Sequence, residues 1–329
     1  MNPSMPNHRF AHRTTARRVR VIPLVLAGRG RVNRKAHRGF SLVEIIVVVA
    51  LISVIMLGLM MMFDQTQRAF RTSMTQTDVL EGGRSATELI HREMEQMTPA
   101  NGNTPNFFAA ILPAKPLIQP LPGTAGRERL NLLEDVFFLK RENQTWSGIG
   151  YFVRNEVADA GGKVTLRWPT EGTQQLLAGS LYRFEQEVPA AQADAPAQVY
   201  SHFLRYLING VTNNPSETTK IADGVVDFKV RAYGTNGMWI TNNLNWAITA
   251  TNLDGTLYPP EVRYYQFTSN AVPAAVEFEL GLLEDSVWRR YNVFLNGAAR
   301  YRYLTNNVGG VHLFRQRVAV RNVDVTAYQ

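Results

Sequence analysis

The most informative stretch of the chain is FSLVEIIVVVALISVIMLGLMMMF, residues 40–63, a run of 24 residues with one ionisable side chain, Glu44. A helix rises about 1.5 Å per residue, so this run would reach roughly 36 Å, enough to cross a hydrocarbon core of about 30 Å. Many of its residues are β-branched, but in lipid only a helix or a closed barrel satisfies its own backbone. We therefore predict a membrane-spanning helix over residues 40–63.

A basic arm precedes this run. Residues 1–39 contain ten Lys or Arg and no Asp or Glu. The whole chain of 329 residues has a formal net charge of +8, whereas residues 40–329 hold 25 basic against 27 acidic residues, a net charge of −2. The charge thus belongs to the arm and does not indicate a nucleic-acid-binding body. The positive-inside rule predicts that the arm stays in the cytoplasm and that the rest lies outside.

Two alternatives exist for the apolar run. A buried helix of a soluble protein would leave the arginine-rich flank unexplained. A cleaved secretory signal has an apolar core of about 7–15 residues followed by a small-x-small site. The run is longer than that, and DQTQRAFR at 64–71 offers no such site. The sequence therefore favours a permanent anchor.

The position of Glu44 is informative. A carboxylate in a membrane span costs a few kcal/mol at the centre, less near the edge, and marks function by default. Glu44 lies four residues after Phe40, which follows Gly39 at the junction of arm and run. A cut between Gly39 and Phe40 would create an ammonium group beside the carboxylate, and each charge would relieve the burial cost of the other. A staggered neighbouring helix reaches this pairing most easily, so the geometry favours assembly.

The stretch RGFSLVE, residues 38–44, followed by the apolar run, resembles the cleavage and methylation signature of type IV pilins and type II secretion pseudopilins. The resemblance implies that a prepilin peptidase cuts after Gly39 and methylates Phe40, and that Glu44 guides subunit assembly. It implies other pilin-like subunits, an inner-membrane assembly platform and the lipid bilayer as partners. It also implies a single-pass bacterial inner-membrane protein with a periplasmic head, found in a filament after assembly. A bitopic anchor with a misplaced glutamate is the alternative.

Several features indicate a minor subunit. The run lacks the proline that many true pilins carry there, and the 290 residues that follow the arm exceed a typical repeating major subunit. SLYRFEQEV (180–188), ADGVVDFKVRAY (222–233) and PAAVEFEL (273–280) are similar to the J-type minor pseudopilin of type II secretion and to W-type minor pilins. The pilin-like families of Verru_Chthon cassettes resemble the chain about as well.

The helical pattern continues beyond residue 63. Apolar or small side chains recur at helical spacing at Phe70, Met74, Thr77, Leu80, Ala86, Leu89, Ile90, Met94 and Met97. Pro99 ends the pattern. We predict one helix over 40–97, about 87 Å long, with Gly82-Gly83 as its weak point and its amphipathic second half, 64–97, packed on a sheet.

Residues 98–329 are predicted to form a β-rich head. Six prolines between 99 and 126 predict an extended connection. Strand-like runs lie at 136–140, 150–154, 164–168, 181–188, 225–233, 262–267, 276–280 and 311–325, with a break at 189–198 and a short helix over 199–208. The predicted fold class is α+β, a long N-terminal helix on an antiparallel β-rich head.

The sequence offers little catalytic chemistry. It has no cysteine and none of the common hydrolase, metalloprotease, phosphate-loop or dinucleotide motifs. His91, His202 and His312 lie in no recognisable motif, and Glu284-Asp285 lacks the ligand spacing of a calcium site. We expect a non-enzymatic protein with no catalytic residue, metal or cofactor. A bitopic anchored receptor or enzyme is the alternative.

The end of the chain is rich in arginine. Residues 286–329 hold seven arginines and one acid. The candidate contact residues among them are Arg300, Arg302, Arg315, Arg317 and Arg321, of which the last three share one face of a regular strand. A solvated β-face, an acidic–basic contact between subunits, and a polyanion patch remain open. The last would make the protein a DNA-uptake or adhesive minor pilin. Arginine suits carboxylate and phosphate alike, so residue type does not separate these.

Overall fold

The computed structural model describes residues 40–111, 117–121, 126–158, 164–167, 177–209, 217–252 and 263–329. The basic arm 1–39, Gly39 included, lies outside these residues, as do Trp168 and Val262. Contacts within the chain define two compact units, Met1–Met62 and Phe63–Gln329. The first helix, α1 (Leu42–Met94), begins in the first unit and ends in the second.

The second unit contains all the remaining described elements. Its helices are α2 (Ala195–Asn209), α3 (Asp285–Val293) and α4 (Gly297–Asn306). Its strands are β1 (Gly102–Ile111), β2 (Leu117–Pro120), β3 (Glu128–Asn131), β4 (Glu134–Glu142), β5 (Thr145–Ala158), β6 (Val164–Arg167), β7 (Gly179–Pro189), β8 (Thr218–Tyr233), β9 (Ile248–Asn252), β10 (Arg263–Ser269), β11 (Ala275–Leu283) and β12 (Val311–Ala319).

Ten of the described strands form one sheet, in the order β12–β11–β8–β7–β5–β4–β1–β10–β9, with β6 paired to β5. The paired strands run antiparallel. Strands β2 and β3 form a separate antiparallel pair. The end of α1 packs on one face of the large sheet, so the predicted α+β class is confirmed.

The end of α1 is held to the sheet by apolar packing. Ala86, Ile90 and Met94 are buried in one cluster with side chains of the sheet. The ring of Phe314 on β12 lies so close to Gly83 that a Cβ there would be 2.2 Å from it. The helix runs without a break through Gly82-Gly83, the expected weak point. Gly83 therefore permits close approach of helix and sheet.

A buried ion pair adds to this packing. Glu93, on the sheet-facing side of α1, is 8 % exposed. Its carboxylate accepts a short hydrogen bond from the Tyr151 hydroxyl, and Nε and Nη2 of Arg183 lie 2.8 and 2.6 Å from Oε1. The pair satisfies a charge that would be costly to bury alone.

Helix α2 covers part of the opposite face. It packs where β5 carries glycine at alternate positions, because a Cβ at Gly148 would lie 2.0 Å from Val199 and one at Gly150 would lie 2.4 Å from Phe203. These two glycines leave the space that the helix fills. The predicted helix 199–208 lies inside α2.

The buried part of α1 is shorter than predicted. Phe70, Met74 and Leu80 are exposed, and packing on the sheet begins at Val79. The expectation of one buried face from residue 64 is wrong for this stretch. The helix also ends at Met94 and not at 97, because Met97 forms a β-bridge with Lys140 on β4.

The proline-rich segment 99–126 is not the predicted connection. It contains β1, which pairs with β4 and β10 in the sheet. Pro105 fits there because the β1–β10 register shifts between Gly102 and Phe107, so no regular ladder needs its missing N–H. The last predicted strand, 311–325, ends at Ala319, and Val325–Tyr328 is a short 3₁₀ helix.

Candidate assembly site at the start of the long helix

The first turn of α1 is closed by a reciprocal cap. The Ser41 N–H donates to Glu44 Oε2 over 3.4 Å, and the Glu44 N–H donates to Ser41 Oγ over 3.2 Å. This is a capping box, in which a serine and a glutamate three residues later satisfy two backbone donors that the helix cannot pair. A carboxylate in the first turn also interacts favourably with the positive end of the helix dipole.

The helix that follows exposes its apolar side chains on all sides. The large apolar residues between Phe40 and Phe63 are between 47 % and 79 % exposed. Ser53, a polar residue in the run, donates its hydroxyl to Val49 O over 2.8 Å and so needs no outside partner. By length and composition the helix can cross a membrane. Glu44 is the one ionisable side chain of this exposed apolar surface.

Chemically, the site consists of a carboxylate one turn into the helix and the nitrogen of Phe40. While Phe40 is joined to Gly39 this nitrogen is an uncharged amide. A free amino terminus at Phe40 would be an ammonium ion, which pairs with a carboxylate far more strongly than a neutral N–H does. Gly39 and the arm lie outside the described residues, so the structure describes only the Phe40 side of that junction.

Residues 34–60 match the family model of the prokaryotic N-terminal methylation motif. The motif supports a type IV pilin-like protein. It implies processing of this pilin-like chain by prepilin peptidase and assembly with other pilin subunits, and together with the apolar helix it indicates membrane anchoring. Proteins that carry it are generally structural. No curated protein and no solved structure matches the chain.

The candidate arginines on β12 and beyond it have partners within the head. Arg315 pairs with Glu277 on β11, and Arg321 lies 2.8 Å from Glu95 in the turn that follows α1. Arg317 stacks on the Tyr233 ring at 3.9 Å and donates to a backbone carbonyl. Arg321 lies past the end of β12, so the three do not share one strand face.

The candidate arginines before β12 lie on a helix and not on a strand. Arg300 stacks on the Tyr291 ring and donates to Phe294 O over 2.7 Å. Arg302 is exposed and pairs with no other residue in the described part of the chain. Helices α3 and α4 were not predicted from the sequence. The structure therefore distributes the five candidate arginines over several environments, and four of them contact an aromatic ring or an acid.

The histidines take part in ordinary polar contacts. His91 Nδ1 lies 2.9 Å from Gln316 Nε2, and His312 Nε2 lies 3.2 Å from Glu284 Oε1. His202 is half-buried on α2. Within the described ranges, no group of three or more His, Asp or Glu is placed to hold a metal ion.

Sequence analysis missed a pair of buried carboxylates. Beyond Val225, β8 is no longer paired with β7, and residues 132–134 fill the place beside it. Glu134 accepts the Val230 N–H over 2.7 Å, and Asp227 accepts the Leu132 N–H over 2.8 Å. We call this contact of 132–134 with 227–230 the β8 seam.

The two acids of the β8 seam are almost without solvent contact, at 3 % exposed for Glu134 and 0 % for Asp227. Burial raises the pKa of Glu134 to about 8, and the nearby Asp227 contributes in the same direction. Burial also raises the pKa of Asp227 to about 7, against the opposing effect of Lys229, whose Nζ lies 3.0 Å away. The signal in the sequence was acids next to apolar strand residues, two at the start of EDVFFL (134–139) and one inside VVDFKV (225–230).

Proposed function

We propose that the protein is a non-enzymatic minor subunit of a pilus-like filament or of a type II secretion-like pseudopilus. Prepilin peptidase cuts between Gly39 and Phe40, removes the cytoplasmic arm and methylates Phe40. Residues 40–63 cross the bacterial inner membrane, and the head lies in the periplasm. An inner-membrane assembly platform then moves the helix from the bilayer into a bundle with other pilin-like subunits.

The observation that carries this proposal is the setting of Glu44. It is the one ionisable group of the exposed apolar run 40–63, and it lies within the matched methylation motif. In lipid the capping box gives its carboxylate one neutral N–H. In a filament a neighbouring Phe40 ammonium would replace that partner with a charged one, which is the stronger interaction. The exchange favours the filament over the bilayer.

A pair of variants separates assembly from capping. Glu44→Gln keeps a side-chain acceptor for the Ser41 N–H but removes the charge. Ser41→Ala removes the hydroxyl of the cap but keeps the charge. We expect Glu44→Gln to be inserted and cleaved normally yet absent from the sheared filament fraction, and Ser41→Ala to be incorporated. Incorporation of Glu44→Gln at the wild-type level would contradict the charge-pairing mechanism.

The cleavage site has its own test. The mass of the amino-terminal peptide from membrane-extracted protein should begin at Phe40 and carry one added methyl group. Gly39→Glu should leave the arm attached. A native protein that retains its arm would instead favour the bitopic receptor or enzyme.

The minor rank and the choice of machine rest on resemblance, to J-type pseudopilins, W-type minor pilins and the Verru_Chthon pilin-like families. A DNA-uptake role would require free arginines, and Arg315 and Arg321 already pair with acids. Arg302 is exposed and has no such partner among the described residues. DNA binding by the processed protein that weakens with salt and is lost in Arg302→Ala would support uptake.

A further inference from the structure

The loop 234–247, between β8 and β9, forms a cleft of about 370 Å³. Tyr328, near the end of the chain, closes it from the other side. This volume lies in the range of small-molecule sites, about 300–1,000 Å³. The cleft belongs wholly to the second unit and is separate from the start of α1.

The rim of the cleft carries uncharged polar groups with unused hydrogen-bond donors and acceptors. The side chains of Thr235, Thr241 and Asn242 form no hydrogen bond with any residue that the structure describes. Asn236 uses only Oδ1, which accepts the Met238 N–H over 2.9 Å. Four neighbouring positions thus offer hydroxyl and amide groups to a ligand.

The loop that presents these groups is held in place by other asparagines. Asn243 Oδ1 accepts the Ala250 N–H over 2.9 Å. Asn245 Oδ1 accepts the N–H groups of Ala247 and Ile248, and its Nδ2 donates to Ala327 O over 2.7 Å. A loop fixed in this way loses little conformational entropy when a ligand binds.

Apolar side chains stand next to the polar rim. Met238 is 66 % exposed and Leu244 is 52 % exposed, and both line the cleft. Trp246, two residues beyond Leu244, is 78 % exposed. Trp239, also in the lining, is fixed by its Nε1, which donates to the Tyr265 hydroxyl over 2.6 Å. The head therefore presents large apolar groups to solvent beside unpaired amides and hydroxyls.

Among the described residues, the lining contains no charged side chain. Arg317 reaches the adjacent turn, but its guanidinium donates to Gly237 O over 3.3 Å and stacks on Tyr233. Arg231 and Arg263 lie over the Trp239 ring, at 5.4 and 5.5 Å, but Arg231 pairs with Glu277 and Arg263 is buried, so neither offers a polyanion an exposed free charge. The ligand that fits is uncharged, with hydroxyls along its edges and apolar C–H surfaces between them.

We propose that this cleft binds a neutral glycan. Sugar hydroxyls both donate and accept, which matches the amides and hydroxyls of Thr235, Thr241 and Asn242. The C–H face of a sugar ring packs on exposed apolar side chains such as Met238 and Leu244. The cleft would allow a subunit of the proposed filament to attach to a polysaccharide surface.

The test uses the full chain in a detergent without a sugar headgroup. Ligand-observed NMR measures binding to a panel of neutral oligosaccharides of hexose and N-acetylhexosamine units. Asn242→Ala should weaken binding at least about fivefold, since it removes one or more hydrogen bonds. Leu244→Ser should weaken it by a similar factor. Asn292→Ala and Val293→Ser, exposed positions on α3, are the matched controls and should bind as wild type.

Three results would overturn the proposal. One is the absence of binding to every neutral oligosaccharide at millimolar concentration. Another is binding that the two cleft variants and the two controls change equally. The third is binding only to an anionic probe such as heparin. None of these measurements needs cleavage at Gly39 or filament assembly, so failure here is distinguishable from failure of the proposed function.

Discussion

Replacement of Glu134 by glutamine should remove much of the pH dependence of the head's stability. The amide oxygen can still accept the Val230 N–H that Glu134 now accepts over 2.7 Å. What the variant removes is the titration of a carboxyl group that is 3 % exposed. The β8 seam should keep its geometry, so the substitution tests only the effect of the titrating carboxyl group.

The sign and size of this pH dependence follow from the raised pKa of Glu134. Burial raises the pKa of Glu134 from an ordinary 4.5 to about 8. Between these values the folded chain keeps a proton that the unfolded chain releases, so the free energy of unfolding falls as pH rises. One proton difference corresponds to a loss of about 1.4 kcal/mol per pH unit. The stabilisation is complete below about pH 4.5 and is lost as pH approaches 8. Asp227, raised to about 7, adds a slope of the same sign at lower pH.

The measurement is chemical denaturation of the full chain in micelles between pH 5.5 and 7.5, followed by tryptophan emission. All five tryptophans lie between residues 146 and 288, so the signal reports the head and not the apolar helix. Glu134→Gln should reduce the slope by about 1 kcal/mol per pH unit. Glu187→Gln, at an exposed position, should leave the slope unchanged. If Glu134→Gln keeps the wild-type slope, the carboxyl group does not titrate as its burial requires.

Two further predictions concern the packing of the helices. Glu93→Ala removes one of the two carboxylates that pair with Arg183, the other being Glu185, and leaves the buried Tyr151 hydroxyl without its acceptor. It should lower the free energy of unfolding by about 1–3 kcal/mol, with faster hydrogen exchange at the end of α1; unchanged exchange there would show that apolar packing alone holds the helix. Gly150→Ala forces a methyl group to within 2.4 Å of the Phe203 ring and should cost about 1–3 kcal/mol in thermal or chemical denaturation. Gly102→Ala, where a Cβ meets open space, is its control, and equal effects of the two would contradict the steric argument.

The strands that the sequence predicted are those with strong alternation. In β5, Ile149, Tyr151 and Val153 face α1, while Trp146 and Phe152 face α2. Successive side chains of a strand point to opposite faces, so the sequence alone assigns each residue to a face without any information on the neighbouring strands. The same reasoning fails for α1 between Phe70 and Leu80, because helical spacing of apolar residues cannot say how far along the helix the sheet extends.

The elements that were missed depend on tertiary context. Strand β1 lies within the proline-rich segment 99–126, and its place between β4 and β10 is set by partners distant in sequence. Helices α3 and α4 lie in the arginine-rich segment, where alternating arginine and tyrosine, as in RYRY at 300–303, fit a strand pattern equally well. The capping box is visible in the sequence as Ser-x-x-Glu at 41–44, although the motif alone does not show that both side-chain contacts form.

The capping box changes how the proposed assembly is controlled. An acid in lipid is tolerated at the first turn because Ser41 and the helix dipole partly satisfy it, so the anchor can insert before any partner is present. Before cleavage, the nitrogen of Phe40 is a neutral amide. Its N–H would bind a neighbouring Glu44 no more strongly than the Ser41 N–H that this Glu44 already accepts. Cleavage creates the one donor, a charged amine, for which exchange of partners is favourable. On the proposed mechanism, removal of the arm is therefore the step that makes the filament more stable than the dispersed subunits, and a subunit with an intact arm should stay in the membrane even when its helix and head are correctly folded.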